Sequence, residues 1–179
     1  MMAETTANAV ADYIIRFCHE HGVLVTNLHL QKLVYYVQAW YLAYYEKPLF
    51  DEDFQSWASG PVQPELYERF KHYTWNPISE HPDKVEFTKE IEDHILEVLE
   101  DYGRYNAFYL ERMCHDEDPW RKAHQGFSVD ENSPKVISKK TMQRYYQYML
   151  EDDEEEKEET GASEQRQESR KDIPEPATP

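Results

Sequence analysis

The sequence predicts a mainly α fold, a single compact helical domain around a central buried helix with room for one short β-hairpin, followed by a disordered acidic tail. Leu30, Leu33, Val34, Val37, Tyr41 and Tyr44 recur at the i, i+3, i+4, i+7 spacing of one helix face, so residues 27–46 should be helical. A second stripe of Leu28, Tyr35 and Leu42 covers most of the remaining girdle and leaves Asn27, His29, Gln31, Lys32 and Gln38 to wet the helix. A helix apolar around most of its circumference belongs in the middle of a domain. Beyond Leu150 the only large apolar side chain is Ile173. Such a segment cannot bury enough surface to offset its chain entropy, which places the boundary between domain and tail at 150/151.

The flanking elements follow from local signals. After a disordered start at residues 1–6, Ala9, Val10, Tyr13, Ile14, Phe17 and Cys18 mark an amphipathic first helix that Gly22 stops. Thr26 is placed to cap the central helix. Pro48 ends that helix, and Leu49, Phe50, Phe54 and Trp57 anchor an acidic connection with room for a short strand before the turn Ser59-Gly60-Pro61. Pro64 opens a helix that turns Leu66, Tyr67, Phe70 and the stem of Lys71 inward, and Asn76 to Pro82 form a loop. Thr88 caps a helix carrying Ile91, Ile95, Val98, Leu99 and Tyr102, with its acids on the other face. A further helix runs from about Asn106 to His115. Asp118 is the expected cap of a short helix with Pro119 first and Trp120 facing inward. A polar loop over 125–134 leads to a last helix from Ser138, whose Met142, Tyr145, Tyr146, Met149 and Leu150 should close the core.

Composition excludes several classes of function. The formal net charge of −17 argues against binding phosphate backbones or anionic membranes, because Lys and Arg dominate affinity for both. Residues 151–179 hold twelve of the acidic residues and four of the basic ones, so the tail is the most acidic part of the chain. Two cysteines, Cys18 and Cys114, make no disulfide framework and have no metal spacing. The opening residues lack a basic region followed by an apolar one, and no run approaches the roughly 18 apolar residues of a membrane span. The expectation is a cytoplasmic protein with reduced thiols. Fourteen Tyr, seven Phe and four Trp suit an aromatic core, an interaction surface or both. No catalytic constellation, cofactor motif or ligand set for a metal stands out.

A set of short motifs in a fixed order carries more. Leu30-Gln31-Lys32-Leu33-Val34-Tyr35-Tyr36 is followed by Pro48-Leu49-Phe50-Asp51-Glu52, Trp57, Gly60-Pro61-Val62, Tyr67 with Phe70, and His115 to Asp118-Pro119-Trp120. This order resembles the Panacea or SocA-like antitoxin domain, also seen in phage-associated proteins, and the likeness runs from about Ala9 to Leu150. Cys114 stands where that pattern has Thr, and the acidic tail is no part of it. The resemblance implies a Panacea domain over residues 1–150 and an acidic tail over 151–179. It further implies an antitoxin, not an enzyme and needing no cofactor, that binds and neutralises a toxin encoded by a neighbouring gene. One relative delivers its toxin to a protease, which makes a cellular protease a further possible partner.

The residues singled out for partner binding are Lys32, Tyr36, Trp57, Pro61, His115 and Trp120. Each has a plainer structural reading. Lys32 in an apolar helix must snorkel, pair or face a partner, Tyr36 and Trp57 are either core or interface anchors, and Gly60-Pro61 answers a backbone need. Two rival functions stay open at this point: an acidic inhibitor that mimics nucleic acid, and a metal-dependent hydrolase using His115 and the acids that follow it.

Overall fold

The computed structural model describes residues 2–154. In order, it contains α1 (Ala7–Glu20), α2 (Asn27–Tyr45), β1 (Gln55–Trp57), β2 (Gly60–Val62) and α3 (Pro64–Phe70), which a 3-10 turn at Lys71–Tyr73 extends. After a long loop come α4 (Lys89–Tyr102), α5 (Ala107–Asp116) and α6 (Asp118–His124), and residues 139–154 form α7. The helix starts are those that side-chain chemistry selects. Thr6, Thr26, Thr88 and Asn106 accept the N–H groups of Ala9, His29, Ile91 and Tyr109 respectively, satisfying donors that the first turn leaves unpaired.

Helix α2 is the central element, packed by α1, α3, α4, α5 and β2. Fourteen of its nineteen residues are buried, so it is covered on nearly every side as its sequence demands. Two expectations for it need correction. Tyr44 is 54% exposed, because it borders a cleft between α2, α4 and α7 instead of the core. Asn27, Gln31, Lys32 and Gln38 do not wet the helix: all four are buried. They hold the irregular chain that wraps α2.

Gln38 does this most completely. Its Oε1 accepts the N–H groups of Leu49 at 2.9 Å and Phe50 at 3.4 Å, while its Nε2 donates to the Phe50 carbonyl at 2.6 Å. One amide thus stands in for a neighbouring strand along the Pro48-Leu49-Phe50 turn. Thr5 N–H adds to the same turn by donating to Leu49 O at 3.1 Å. Gln31 Oε1 likewise accepts Gln63 N–H at 2.8 Å, and Asn27 Nδ2 donates to Tyr67 O at 3.2 Å, fixing the start of α3 against α2.

The hairpin that the sequence left room for pairs Gln55 with Val62, Ser56 with Pro61 and Trp57 with Gly60. Pro61 is tolerated because its side of the hairpin meets a side chain, not a further strand: its carbonyl accepts from Lys32 Nζ at 3.0 Å. Gly60 has φ +92°, and a Cβ there would lie 2.9 Å from Lys32 Cε, so both conformation and space require glycine. The other edge is closed by residues 133–137. Ser56 N–H donates to Lys135 O, Ser133 N–H to Ser56 O and Ile137 N–H to Phe54 O.

Near α6 the expected cap is displaced by one residue. Glu117, not Asp118, occupies the cap position, and its carboxylate makes no capping bond because it turns inward. Burial beneath Tyr36 and Tyr146 supplies its partners, the two phenol O–H groups. Asp118 begins the helix and pairs with Lys122 at the surface. At the far end α7 continues through residues 151–154, one turn past the expected boundary, and the remaining tail, expected to be disordered, lies outside the described residues. Among the described residues no helix is long and apolar enough to cross a membrane.

Gln38→Ala removes the partner of two buried N–H groups and one carbonyl, and should cost about 2–4 kcal/mol. The midpoint of urea unfolding at unchanged slope measures it, and a loss below about 0.5 kcal/mol would show that water replaces the amide.

Candidate functional site

Five parts of the chain converge on one groove of about 830 Å³. The first turns of α2 contribute Thr26, Asn27, Leu28 and Gln31, and the hairpin contributes Trp57, Ala58, Ser59 and Val62. Tyr67, Lys71, Thr74 and Trp75 follow from α3 and its extension. Phe108, Glu111 and His115 line one face of α5, and Val129, Asp130 and Asn132 complete the rim. Its floor is polar and satisfied, since Gln31 and Asn27 already bond the backbone of Gln63 and Tyr67. The rim is apolar and open: Trp75 is 77% exposed, Phe108 68% and Val129 67%. Large apolar side chains left in water on one concavity mark an interaction site more than a folding need.

The backbone beside Trp75 supports this. Thr74 has φ +55° and ψ −116°, a conformation that a β-branched residue rarely adopts. Its N–H donates to Lys71 O and the next bonds, from Asn76 N–H to Tyr73 O, close the turn that carries Trp75 outward. Strain of this kind persists only where its surroundings over-determine it.

The expected partner-binding residues divide into two layers. Trp57 and His115 line the groove. Trp57 packs edge-on against Tyr67 at 4.9 Å between centroids, and its indole N–H donates to Gln55 Oε1. His115 packs on Trp120 at 4.1 Å, its Nε2 is buried without a hydrogen-bond partner among the described residues, and burial holds its pKa below the ordinary value. The other four lie beneath the surface. Trp120 is buried, with its N–H donating to Trp57 O at 2.9 Å and its other face stacked on His124 at 4.2 Å. His124 places both ring nitrogens against carbonyls, those of Ser56 and Ser128, and so ties α6 to the hairpin and the 125–134 loop. Pro61, Lys32 and Tyr36 are enclosed.

A buried polar cluster lies behind the groove. Tyr36 O–H donates to Glu117 Oε1 at 3.2 Å and accepts from Cys114 Sγ at 3.3 Å, while its ring stacks on Tyr102 at 4.0 Å. Burial raises the Glu117 carboxyl to about 7, against the two phenol bonds that favour its charged form. Burial also pushes the Cys114 thiol up, so it is an unreactive core residue. Lys32 has one hydrogen-bond acceptor, Pro61 O, and burial lowers its ammonium to about 8 although Cys114 and Glu111 pull the other way. Among the described residues no three of His, Cys, Asp and Glu are grouped as metal ligands, and the buried Glu117 carboxylate is bonded by the Tyr36 and Tyr146 hydroxyls.

The family described as "Antitoxin SocA-like, Panacea domain" matches residues 30–121, the span from the buried stripe of α2 to α6. The chain belongs to this family. Antitoxin SocA of Caulobacter vibrioides (strain NA1000 / CB15N) is 34% identical over 64 residues, which is 36% of this chain and 34% of that relative. The chain thus spans about a third of the curated relative it matches. No solved structure matches it significantly. In this member of the Panacea family the short motifs prove to be one assembly. The polar residues of Leu30-Gln31-Lys32-Leu33-Val34-Tyr35-Tyr36 hold α3, the Gly60-Pro61 turn and Glu117, and Pro119-Trp120 holds the hairpin from below.

Sequence reasoning missed Trp75 and Phe108 as groove residues. The available signal was that Trp75 stands among polar residues next to a loop-forming Asn76-Pro77, where nothing periodic would bury it.

Lys32 is disfavoured as a cation in the folded state, so the folded chain gains stability as pH rises from about 8 to about 10.5, where the unfolded lysine still holds its proton. Below about 8 both states are protonated and the burial cost, about 3 kcal/mol, is fully present. Lys32→Met should therefore unfold later than wild type at pH 7 by about 1–3 kcal/mol, with the gap closing over that range. A gap constant with pH would contradict the buried-cation account. Thr74→Gly should relieve backbone strain and raise stability by about 1–2 kcal/mol, read from the same unfolding curves.

Proposed function

We propose that this chain is an antitoxin that neutralises a cognate toxin, encoded by a neighbouring gene, by binding it directly through the groove. Family membership supports an antitoxin role. The observation that carries the binding surface is the convergence of Trp75, Phe108 and Val129, all largely exposed, on one groove within or beside the family-matched residues. Interfaces are anchored by such residues, with tryptophan foremost, while the surrounding contacts exclude water. Trp57 and His115 contribute side chains to that surface. Lys32, Tyr36, Pro61 and Trp120 act from below, setting the positions of the hairpin and α5. The chain works by stoichiometric binding in the cytoplasm, with no catalytic step. Delivery of the bound toxin to a cellular protease is compatible with this reading and is supported only by the family resemblance.

The test is co-expression with the product of the neighbouring gene, followed by growth rescue and affinity measurement on the purified pair. Trp75→Ala and Phe108→Ala should each weaken binding by about tenfold or more while changing stability by no more than about 0.5 kcal/mol. If both variants bind like wild type and affinity follows salt concentration alone across unrelated basic proteins, the chain is an acidic nucleic-acid mimic instead.

A further inference from the structure

The groove carries an electrostatic signature as well as an apolar rim. Glu111 on α5 lines it, half-buried, and the exposed Asp130 lines it from the 125–134 loop. Among the described residues neither carboxylate has an ion pair or a hydrogen-bond donor. The basic side chain on the same surface, Lys71, is engaged by Glu68 on its own helix. Burial disfavours the charged form of His115, beside Glu111 on α5, although Glu111 itself pulls the other way. The Lys32 ammonium is wholly enclosed and bonded to Pro61 O; it lies within electrostatic range of Glu111 but forms no ion pair with it.

A carboxylate without an ion pair in a groove that tryptophan and phenylalanine also line is a poor arrangement for an apolar peptide, because binding one would desolvate the charge without replacing its water. It suits a planar cation. A guanidinium can stack on an aromatic face and present a two-pronged donor edge to a carboxylate at the same time, which an ammonium cannot. The rest of the chain favours the same sign, since a net charge of −17 draws basic segments toward it over the range of the Debye length.

Resting on the reading of the groove as the partner site, we propose that it recognises an arginine in a basic segment of the toxin, its guanidinium lying against Trp75 and Phe108 and bonded to Glu111. Asp130 adds attraction from the rim. Specificity among toxins then lies in whether such an arginine is exposed at the matching place, and affinity falls with added salt.

The experiment uses the full chain and the neighbouring gene's product, in binding titrations and growth rescue, with thermal melts confirming that each variant is folded. Glu111→Gln keeps size and shape and should weaken binding at least about tenfold, and Glu111→Arg should weaken it further. Each arginine of the partner is then changed singly to glutamate. One such change should restore binding to Glu111→Arg while impairing binding to wild type. If Trp75→Ala loses binding but Glu111→Gln does not, the arginine proposal is overturned and the groove reading stands. If Glu111→Arg weakens binding and no single partner change restores it, the proposal is overturned as well. If neither Trp75→Ala nor Glu111→Arg affects binding, the groove reading itself has failed.

Discussion

Hydrogen bonds from buried side chains of α2 to the backbone of irregular chain are the interaction on which the rest of this structure depends. A helix enclosed on nearly all sides must be surrounded, and this chain surrounds it partly with loops, a three-residue hairpin and short helices whose own backbone groups need partners. Asn27, Gln31, Lys32 and Gln38 supply those partners from the centre outward. Each lone exchange gains little over water, but an unmet buried N–H or carbonyl costs more than a made bond returns. The central helix is thus apolar by area and polar by function. Its polar residues decide where the surrounding backbone goes.

That arrangement explains how a rigid groove can be built from short pieces. The hairpin is too small to be stable alone. Lys32 holds one edge, residues 133–137 hold the other, and the Trp120 and His124 rings press from α6 onto the carbonyls of Trp57 and Ser56. Glu117, bonded by Tyr36 and Tyr146, joins α2, α6 and α7 at the back of the same assembly. The residues that shape the site are enclosed, and the residues that would touch a partner are few and sit on its rim.

Much of the fold was legible because helices announce themselves locally. The cap residues Thr26 and Thr88, the stop at Gly22 and the initial prolines Pro64 and Pro119 stand where the chain reads them. What was not legible depends on tertiary partners. Periodicity places Gln38 or Lys32 on a helix but cannot say that a carbonyl forty or fewer residues away will meet it, so these residues looked like a wetted edge. Glu117 and Asp118 are interchangeable as caps on sequence alone, and only the nearby phenols of Tyr36 and Tyr146 turn Glu117 inward. Tyr44 kept the period of its helix while the neighbouring helices parted around it. The groove was half legible: Trp57 and His115, expected at a partner surface, line it, whereas Trp75 and Phe108 were not marked, because exposure of a large apolar ring violates the rule by which rings are assigned to cores.

Hydrogen–deuterium exchange on the full chain, free and bound to the neighbouring gene's product, tests the central claim most directly. Binding at the groove predicts slowed exchange in the segments around residues 57–62, 71–76 and 106–115, with the cleft formed by α2, α4 and α7 unchanged. Protection confined to that cleft, with the groove segments exchanging as in the free chain, would contradict the account.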